Sequence, residues 1–110
     1  MSTGTDIKID EKIKVNVDPP KLWKVIFLND NVTPMDLVID ILTGIFRHQA
    51  ERAKEITLEI HNSGSGVAGI YSFEIAEELA VQATNTARQN GSPLKIQVEE
   101  EYYFPEISTA

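Results

Sequence analysis

The spacing of apolar residues along the chain predicts three strands and three helices. Short runs that are apolar throughout, or that alternate between apolar and polar residues, are typical of strands and cover residues 22–28, 67–71 and 94–99. Apolar residues repeated at three- and four-residue steps are typical of amphipathic helices and cover residues 34–47, 50–62 and 73–90. The predicted order is therefore β-α-α-β-α-β. Because neither layer can bury its apolar side alone, this order predicts an α+β two-layer sandwich, a small three-stranded antiparallel sheet with three helices on one face.

Two segments flank the predicted domain, which spans residues 19–99. Pro19 and Pro20 interrupt regular structure before it, because a proline lacks a backbone N–H and restricts the residue that precedes it. Residues 1–18 carry many charges and no aromatic residue, so we expect a flexible N-terminal arm, although alternating Ile and Val residues leave open a strand added to a sheet edge. Residues 100–110 mix acidic and aromatic residues, and we expect a C-terminal tail that either packs over an edge or docks to a partner.

Charge and composition argue against several classes of function. A formal net charge of -7 at pH 7 disfavours nucleic acid and anionic membranes as partners, because both would repel the chain, and it favours a cationic ligand. The absence of cysteine and the presence of only two histidines give no basis for a metal site or a thiol nucleophile. No apolar run approaches the length of a membrane span, and acidic residues near the N-terminus are untypical of a transit peptide. We therefore expect a cytoplasmic protein without a cofactor.

A polar stretch, Asn29-Asp30-Asn31, separates the first predicted strand from the first predicted helix. Thr33 is placed to cap that helix, because a threonine side chain before the first turn accepts a hydrogen bond from an unpaired N–H group. Asn29, Asp30 and Asn31 supply more hydrogen-bond acceptors than a tight turn requires. Two interpretations remain open. In the first, Asn and Asp serve only as the ordinary residues of a turn. In the second, the surplus acceptors bind a ligand with several hydrogen-bond donors.

The second predicted helix supplies a further candidate. His61 lies four residues after Thr57, so the two side chains share one face of that helix. A histidine near a helix end is commonly a cap that interacts with the helix dipole. In the alternative interpretation, an α-ammonium group with three N–H donors meets three acceptors: the Asn29 carbonyl, the Asp30 carboxylate and a neutral nitrogen of His61.

Three stretches resemble the signature of the ClpS family, adaptors that hand N-degron substrates to a Clp protease. They are residues 19–35, 56–61 and 87–94, and the resemblance covers residues 19–99. It implies a non-catalytic adaptor that binds the free α-amino group and the bulky hydrophobic first residue (Phe, Tyr, Trp or Leu) of a substrate. It also implies delivery of the bound chain to the N-domain of a ClpA- or ClpC-type unfoldase.

The resemblance assigns roles to particular residues. Asn29, Asp30 and His61 match the positions that hold the α-amino group, and Asn31 and Thr33 match positions beside the substrate backbone. The positions that line the pocket for the first side chain correspond here to Met35, Val38, Thr57, Ile60 and Leu94. On the third helix, Glu74 and Leu79 correspond to contacts with the unfoldase.

Three residues depart from the family pattern. Asn31 stands where many members have aspartate, which removes negative charge near the ammonium group. Thr57 stands where methionine is common, so that wall of the pocket is expected to be shorter and more polar. Leu79 stands where a lysine often contributes to docking.

Two other classes of function are alternatives. A structural or interaction domain of the same fold, similar to the C-terminal domain of the ribosomal stalk protein, would use the polar stretch only as a cap. An enzyme is disfavoured, because Asp30 and His61 are an acid–base pair without a phosphate loop, a metal cluster or a nucleophile motif. The sequence therefore predicts no catalytic residue.

Overall fold

The computed structural model describes residues 20–102, and its elements follow the predicted order. They are β1 (Leu22–Leu28), α1 (Met35–Gly44), α2 (Ala50–Ser63), β2 (Ser65–Tyr71), α3 (Phe73–Gln89) and β3 (Lys95–Glu101). The predicted arm, residues 1–18, lies outside the described residues, and so does the predicted tail from residue 103 onward. No helix within residues 20–102 is long and apolar enough to cross a membrane.

The three strands form one antiparallel sheet in the order β2-β1-β3. The central strand, β1, has the bounds that the sequence predicted, and its neighbours are both longer than predicted. Along β3 the pairing continues to Glu101, which lies opposite Leu22. The first residues of the predicted tail, Glu100 and Glu101, therefore belong to the sheet, where they form ion pairs with Lys21 and Lys24.

A bulge interrupts the pairing of β1 with β2. Val25 lies opposite Gly69 and Ile26 lies opposite Val67, so Ala68 is the extra residue on β2. The carbonyl of Ala68 is hydrogen-bonded to Nε2 of His48. Because His48 lies in the connection between α1 and α2, this bond ties that connection to the edge of the sheet.

All three helices pack on one face of the sheet, as the apolar pattern predicted. From β1, Val25 and Phe27 are fully buried at the centre of the core. α3 approaches closely because its buried residues are small: Ala76, Ala80, Ala83 and Ala87. The other helices supply larger buried side chains, namely Val38, Ile41, Leu42, Ile56 and Ile60.

α1 ends at Gly44, three residues before the predicted end at Arg47. The chain turns there so that Phe46 can enter the core, where its ring meets the ring of Phe27 edge-on with centroids 5.5 Å apart. Arg47 then takes a left-handed conformation with φ 63°, which is uncommon for a residue with a side chain. The helix therefore ends just before Phe46 enters the core.

Candidate functional site

A cavity of about 190 Å³ opens at the end of the sheet where β1 finishes and β3 begins. It lies between the loop that follows β1, the first turns of α1 and the last turns of α2. Its lining residues are Leu28, Asn29, Asp30, Asn31, Thr33, Met35, Val38, Thr57, Ile60, His61 and Leu94. All ten residues predicted to bind substrate thus surround one cavity. Leu28 is the addition, and its place at the end of an apolar strand gave no functional signal.

The Asp30 side chain organises the loop on the rim of the cavity. Its Oδ1 accepts hydrogen bonds from the backbone N–H groups of Val32 at 2.7 Å and Thr33 at 2.6 Å. Its Oδ2 accepts the hydroxyl of Thr33 at 2.8 Å. The prediction that Thr33 caps α1 is therefore wrong: Pro34 occupies the N-cap position, and no side chain caps this helix.

Ser92, in the connection between α3 and β3, extends this hydrogen-bond network. The Thr33 hydroxyl gives its one proton to Asp30, so the Ser92 hydroxyl, 2.6 Å away, must donate to the Thr33 oxygen. The same Ser92 oxygen accepts the N–H of Leu94 at 3.1 Å. Ser92 is buried and was not singled out from the sequence, because a serine in a turn carries no sign of a partner 59 residues away.

Backbone and side-chain bonds hold the other sides of the site. The N–H of Asn29 donates to the carbonyl of Gly64 at 2.9 Å, which joins the end of β1 to the end of α2 beside His61. Arg88 donates to the carbonyls of Ser92 at 2.9 Å and Leu94 at 2.8 Å. Hydrogen bonds within the chain thus tie together several of the segments that line the cavity.

Asp30 keeps a negative charge at the rim. Burial raises the pKa of its carboxyl group, but the hydrogen bonds from Thr33 and Val32 lower it more, so the pKa lies below its ordinary value of 3.8. An ionised carboxylate has about four lone-pair sites, and the loop occupies three of them. Within residues 20–102 no further donor bonds to the carboxylate, so one acceptor site on Oδ2 remains for a donor from outside the loop.

The α2 wall of the cavity combines three kinds of side chain. Ile60 is buried, and His61 is exposed in the last turn of the helix. Thr57 is buried, and its hydroxyl donates to the carbonyl of Ala53 at 2.8 Å. Because that proton is committed to the helix backbone, the wall at Thr57 is less polar than the sequence suggested.

The floor of the cavity is apolar. Val38 and Leu94 belong to the buried core, and Met35 stands at the mouth with 41% of its surface exposed. A ligand that fits this arrangement places an apolar group inward and a hydrogen-bond donor group at the rim, between Asp30 and His61.

The two residues predicted to contact the unfoldase do not share a face of α3. Glu74 is exposed in the first turn. Leu79 is half-buried and packs against the core. They are five residues apart, which turns their side chains to different sides of a helix.

Within residues 20–102, no group of His, Cys, Asp or Glu side chains is arranged to hold a metal ion. The fold and the cavity together define a small α+β binding domain whose pocket has an apolar floor and an acidic rim.

Comparisons with known proteins identify the family. Residues 18–97 match the family model of the ATP-dependent Clp protease adaptor protein ClpS. The ClpS adapter of Sodalis glossinidius is 43% identical over 90 residues, which cover 82% of this chain and 85% of that one. The ClpS adapter of Bdellovibrio bacteriovorus is 48% identical over 85 residues, which cover 77% of this chain and 75% of that one.

A solved structure agrees with these sequences. Agrobacterium tumefaciens ClpS2 bound to L-phenylalaninamide superposes with a TM-score of 0.73 at 35% sequence identity, covering 76% of this chain and 100% of that chain. The chain belongs to the ClpS family. It is accordingly an adaptor of a Clp protease and not an enzyme.

Proposed function

We propose that the cavity binds the free α-amino group and the bulky hydrophobic first residue of N-degron substrates, and that the adaptor delivers them to a ClpA- or ClpC-type unfoldase. The single observation that carries this proposal is that an apolar cavity and an ionised carboxylate with one open acceptor site lie side by side. L-phenylalaninamide, the ligand of the Agrobacterium ClpS2 structure, has an apolar ring and a free α-amino group, the two features that this site suits.

The size of the cavity supports one side chain as its occupant. Pockets for drug-sized ligands span about 300–1,000 Å³, and this one has about 190 Å³. Val38, Ile60 and Leu94 give it an apolar interior, so burying an aromatic or branched side chain removes apolar surface from water. Phe, Tyr, Trp and Leu all bring a large apolar surface to such burial.

The rim supports an ammonium group as the donor. Three N–H donors of an α-ammonium group would pair with the open acceptor site of Asp30, the side-chain carbonyl of Asn29 and a neutral nitrogen of His61. Asn31 and Thr33, which also line the cavity, would lie beside the first peptide bonds of the substrate. Acetylation of the amino group removes its charge and two donors, so it removes the basis of recognition.

Delivery requires a second surface. Glu74 is the accessible member of the predicted pair and is the residue that we propose contacts the N-domain of the unfoldase, whereas Leu79 contributes less because it packs inward. We also propose a cytoplasmic location, which supplies the ATP that the protease requires.

Fluorescence anisotropy with labelled peptides tests the proposal. We expect a peptide with a free N-terminal Phe to bind near micromolar Kd, about -8 kcal/mol, and its acetylated form not to bind measurably. A structural domain similar to that of the ribosomal stalk protein would not distinguish the two peptides. Equal affinity for both would overturn the proposed function.

A further inference from the structure

Gly66 lies on β2 against Ile60, which belongs to the α2 wall of the cavity. It is buried on the inner face of β2, opposite Phe27. A Cβ atom at this position would lie 2.7 Å from Cγ1 of Ile60 and 3.5 Å from the carbonyl oxygen of Ile56. The first distance is shorter than any ordinary carbon–carbon contact, so the two residues fit only because position 66 has no side chain.

Ile60 has little freedom to relieve such a contact. Its Cγ1 is bonded directly to Cβ, and a β-branched side chain in a helix has one strongly preferred χ1 rotamer. Only 4% of Ile60 is exposed, and it belongs to the packed core while also lining the cavity. Because protein interiors are densely packed, the cavity is the free space into which Ile60 can be displaced.

We infer that Gly66 is a positioning residue that sets the depth of the pocket through Ile60. The inference rests on the proposed function and goes beyond it, since Gly66 is not among the residues that line the cavity. A methyl group at position 66 pushes Ile60 toward the bound side chain. The pocket becomes shallower, and the largest first residues lose most.

Fluorescence anisotropy tests this effect of Gly66. The dissociation constants of peptides with a free N-terminal Trp, Phe or Leu are measured for the Gly66→Ala variant and for the parent. Overpacking a dense site is costly, so the affinity for the Trp peptide should fall about fivefold or more, and that for the Leu peptide should fall less. The ratio of the Trp to the Leu dissociation constant should therefore rise. A loss of general stability alone leaves this ratio unchanged, which separates positioning from a purely structural role.

Gly44 provides a matched control. It is the last residue of α1, and a Cβ there would meet nothing within 4 Å. Gly44→Ala should leave all three dissociation constants unchanged. Gly64 and Gly91 do not serve as controls, because their φ angles of 93° and 74° make any side chain unfavourable.

A second substitution keeps the inference testable if Gly66→Ala folds poorly. Ile60→Val removes Cδ1, which leaves the remaining side chain room to shift away from a methyl group at position 66. Where Gly66→Ala folds poorly, adding Ile60→Val should raise its melting temperature. Where Gly66→Ala folds, the change in the Trp-to-Leu ratio should be smaller in the Ile60→Val background than in the parent.

Three outcomes overturn the inference. They are an unchanged ratio in a folded Gly66→Ala variant, no gain in melting temperature when Ile60→Val is added to a poorly folded one, and, if Gly66→Ala folds, an effect of equal size in the parent and in the Ile60→Val background. If the parent chain does not distinguish free from acetylated Phe peptides, the proposed function is overturned as well. If the parent does distinguish them, the failure concerns only the role of Gly66.

Discussion

Asp30 and Thr33 are joined by two hydrogen bonds, one from the backbone N–H of Thr33 to Oδ1 and one from its hydroxyl to Oδ2. One aspartate therefore shapes the loop and also places its charge on the rim of the cavity. Substituting this residue by alanine alters both properties together. Tests of Asp30 must separate its charge from its role in the loop.

Asp30→Asn makes that separation. The amide oxygen of asparagine can still accept the N–H groups of Val32 and Thr33, whereas the NH2 group in place of Oδ2 removes the negative charge, the open acceptor site and the bond from the Thr33 hydroxyl. Hydrogen bonds to charged groups contribute about 1.5–3 kcal/mol, so we expect the Kd for a free N-terminal Phe peptide to rise about tenfold or more. Asp30→Ala serves as the comparison, because it should also lower the free energy of unfolding. Parent-like peptide affinity in Asp30→Asn would show that the charge is not used.

Asp30 also predicts an acid dependence of stability. Its pKa in the folded chain lies below 3.8, because hydrogen bonds outweigh the effect of burial, so the unfolded chain binds a proton at higher pH than the folded chain. The resulting stabilisation is complete above the unfolded pKa and is lost as the pH falls through the folded pKa. Urea unfolding from about pH 6 to pH 3 should therefore show a shallower decline for Asp30→Asn than for the parent.

Asp40 supplies the control for this titration. It is exposed on α1, and its carboxylate makes no hydrogen bond with any residue within 20–102. Asp40→Asn should follow the parent curve. Equal acid dependence of the parent and Asp30→Asn would mean that the loop hydrogen bonds do not favour the ionised carboxylate.

The two histidines should have opposite roles. His61→Ala removes an acceptor at the rim, so peptide affinity should fall several-fold, while stability should stay near that of the parent because the side chain is exposed in the last turn of α2. His48→Ala removes the bond to Ala68 and should destabilise the fold by about 0.5–1.5 kcal/mol with peptide affinity retained. Peptide titrations and thermal melts of both variants decide this. If His61→Ala binds like the parent, His61 takes no part in peptide recognition.

Thr57→Met should change the preference for the first residue. The threonine leaves the α2 wall short, so a wider pocket favours Trp, Tyr or Phe over Leu. Each methylene that fails to be buried forgoes about 0.8 kcal/mol, which is about fourfold in affinity. Restoring methionine should therefore improve Leu relative to Trp in anisotropy titrations.

Thr57→Val is the control for the hydroxyl group. Because the Thr57 hydroxyl is bonded to Ala53 within the helix, valine should leave the order of peptide affinities unchanged. An unchanged order in Thr57→Met as well would mean that neighbouring side chains already close the gap beside Thr57.

Deleting residues 1–17 should separate binding from delivery. All residues that line the cavity lie between Leu28 and Leu94, so the truncated chain should keep the parent's affinity for an N-degron peptide. We expect degradation of a model substrate by the unfoldase and protease to be lost. An arm of Gly and Ser with the same length tests whether its sequence matters. Unimpaired degradation by the truncated chain would refute a role of the arm in delivery.

Much of the architecture follows from the sequence by itself. Apolar periodicity is a local property, so it predicted the type and order of all six elements and the bounds of β1. The residues alone left two interpretations of Asp30 and His61 open. Resemblance to the ClpS family grouped them with Leu94, and the structure places all three on one cavity.

Only the tertiary structure decided how the site is held. Thr33 bonds to Asp30 and Ser92 instead of capping a helix, and α1 ends early because Phe46 packs against Phe27. The close approach of Gly66 to Ile60 is likewise a contact that only the tertiary structure reveals. Most of these contacts join residues from separate elements, where one partner carries no local sign of the other. Burial and hydrogen-bond satisfaction across the assembled layers select the partner, and local propensity cannot encode that choice.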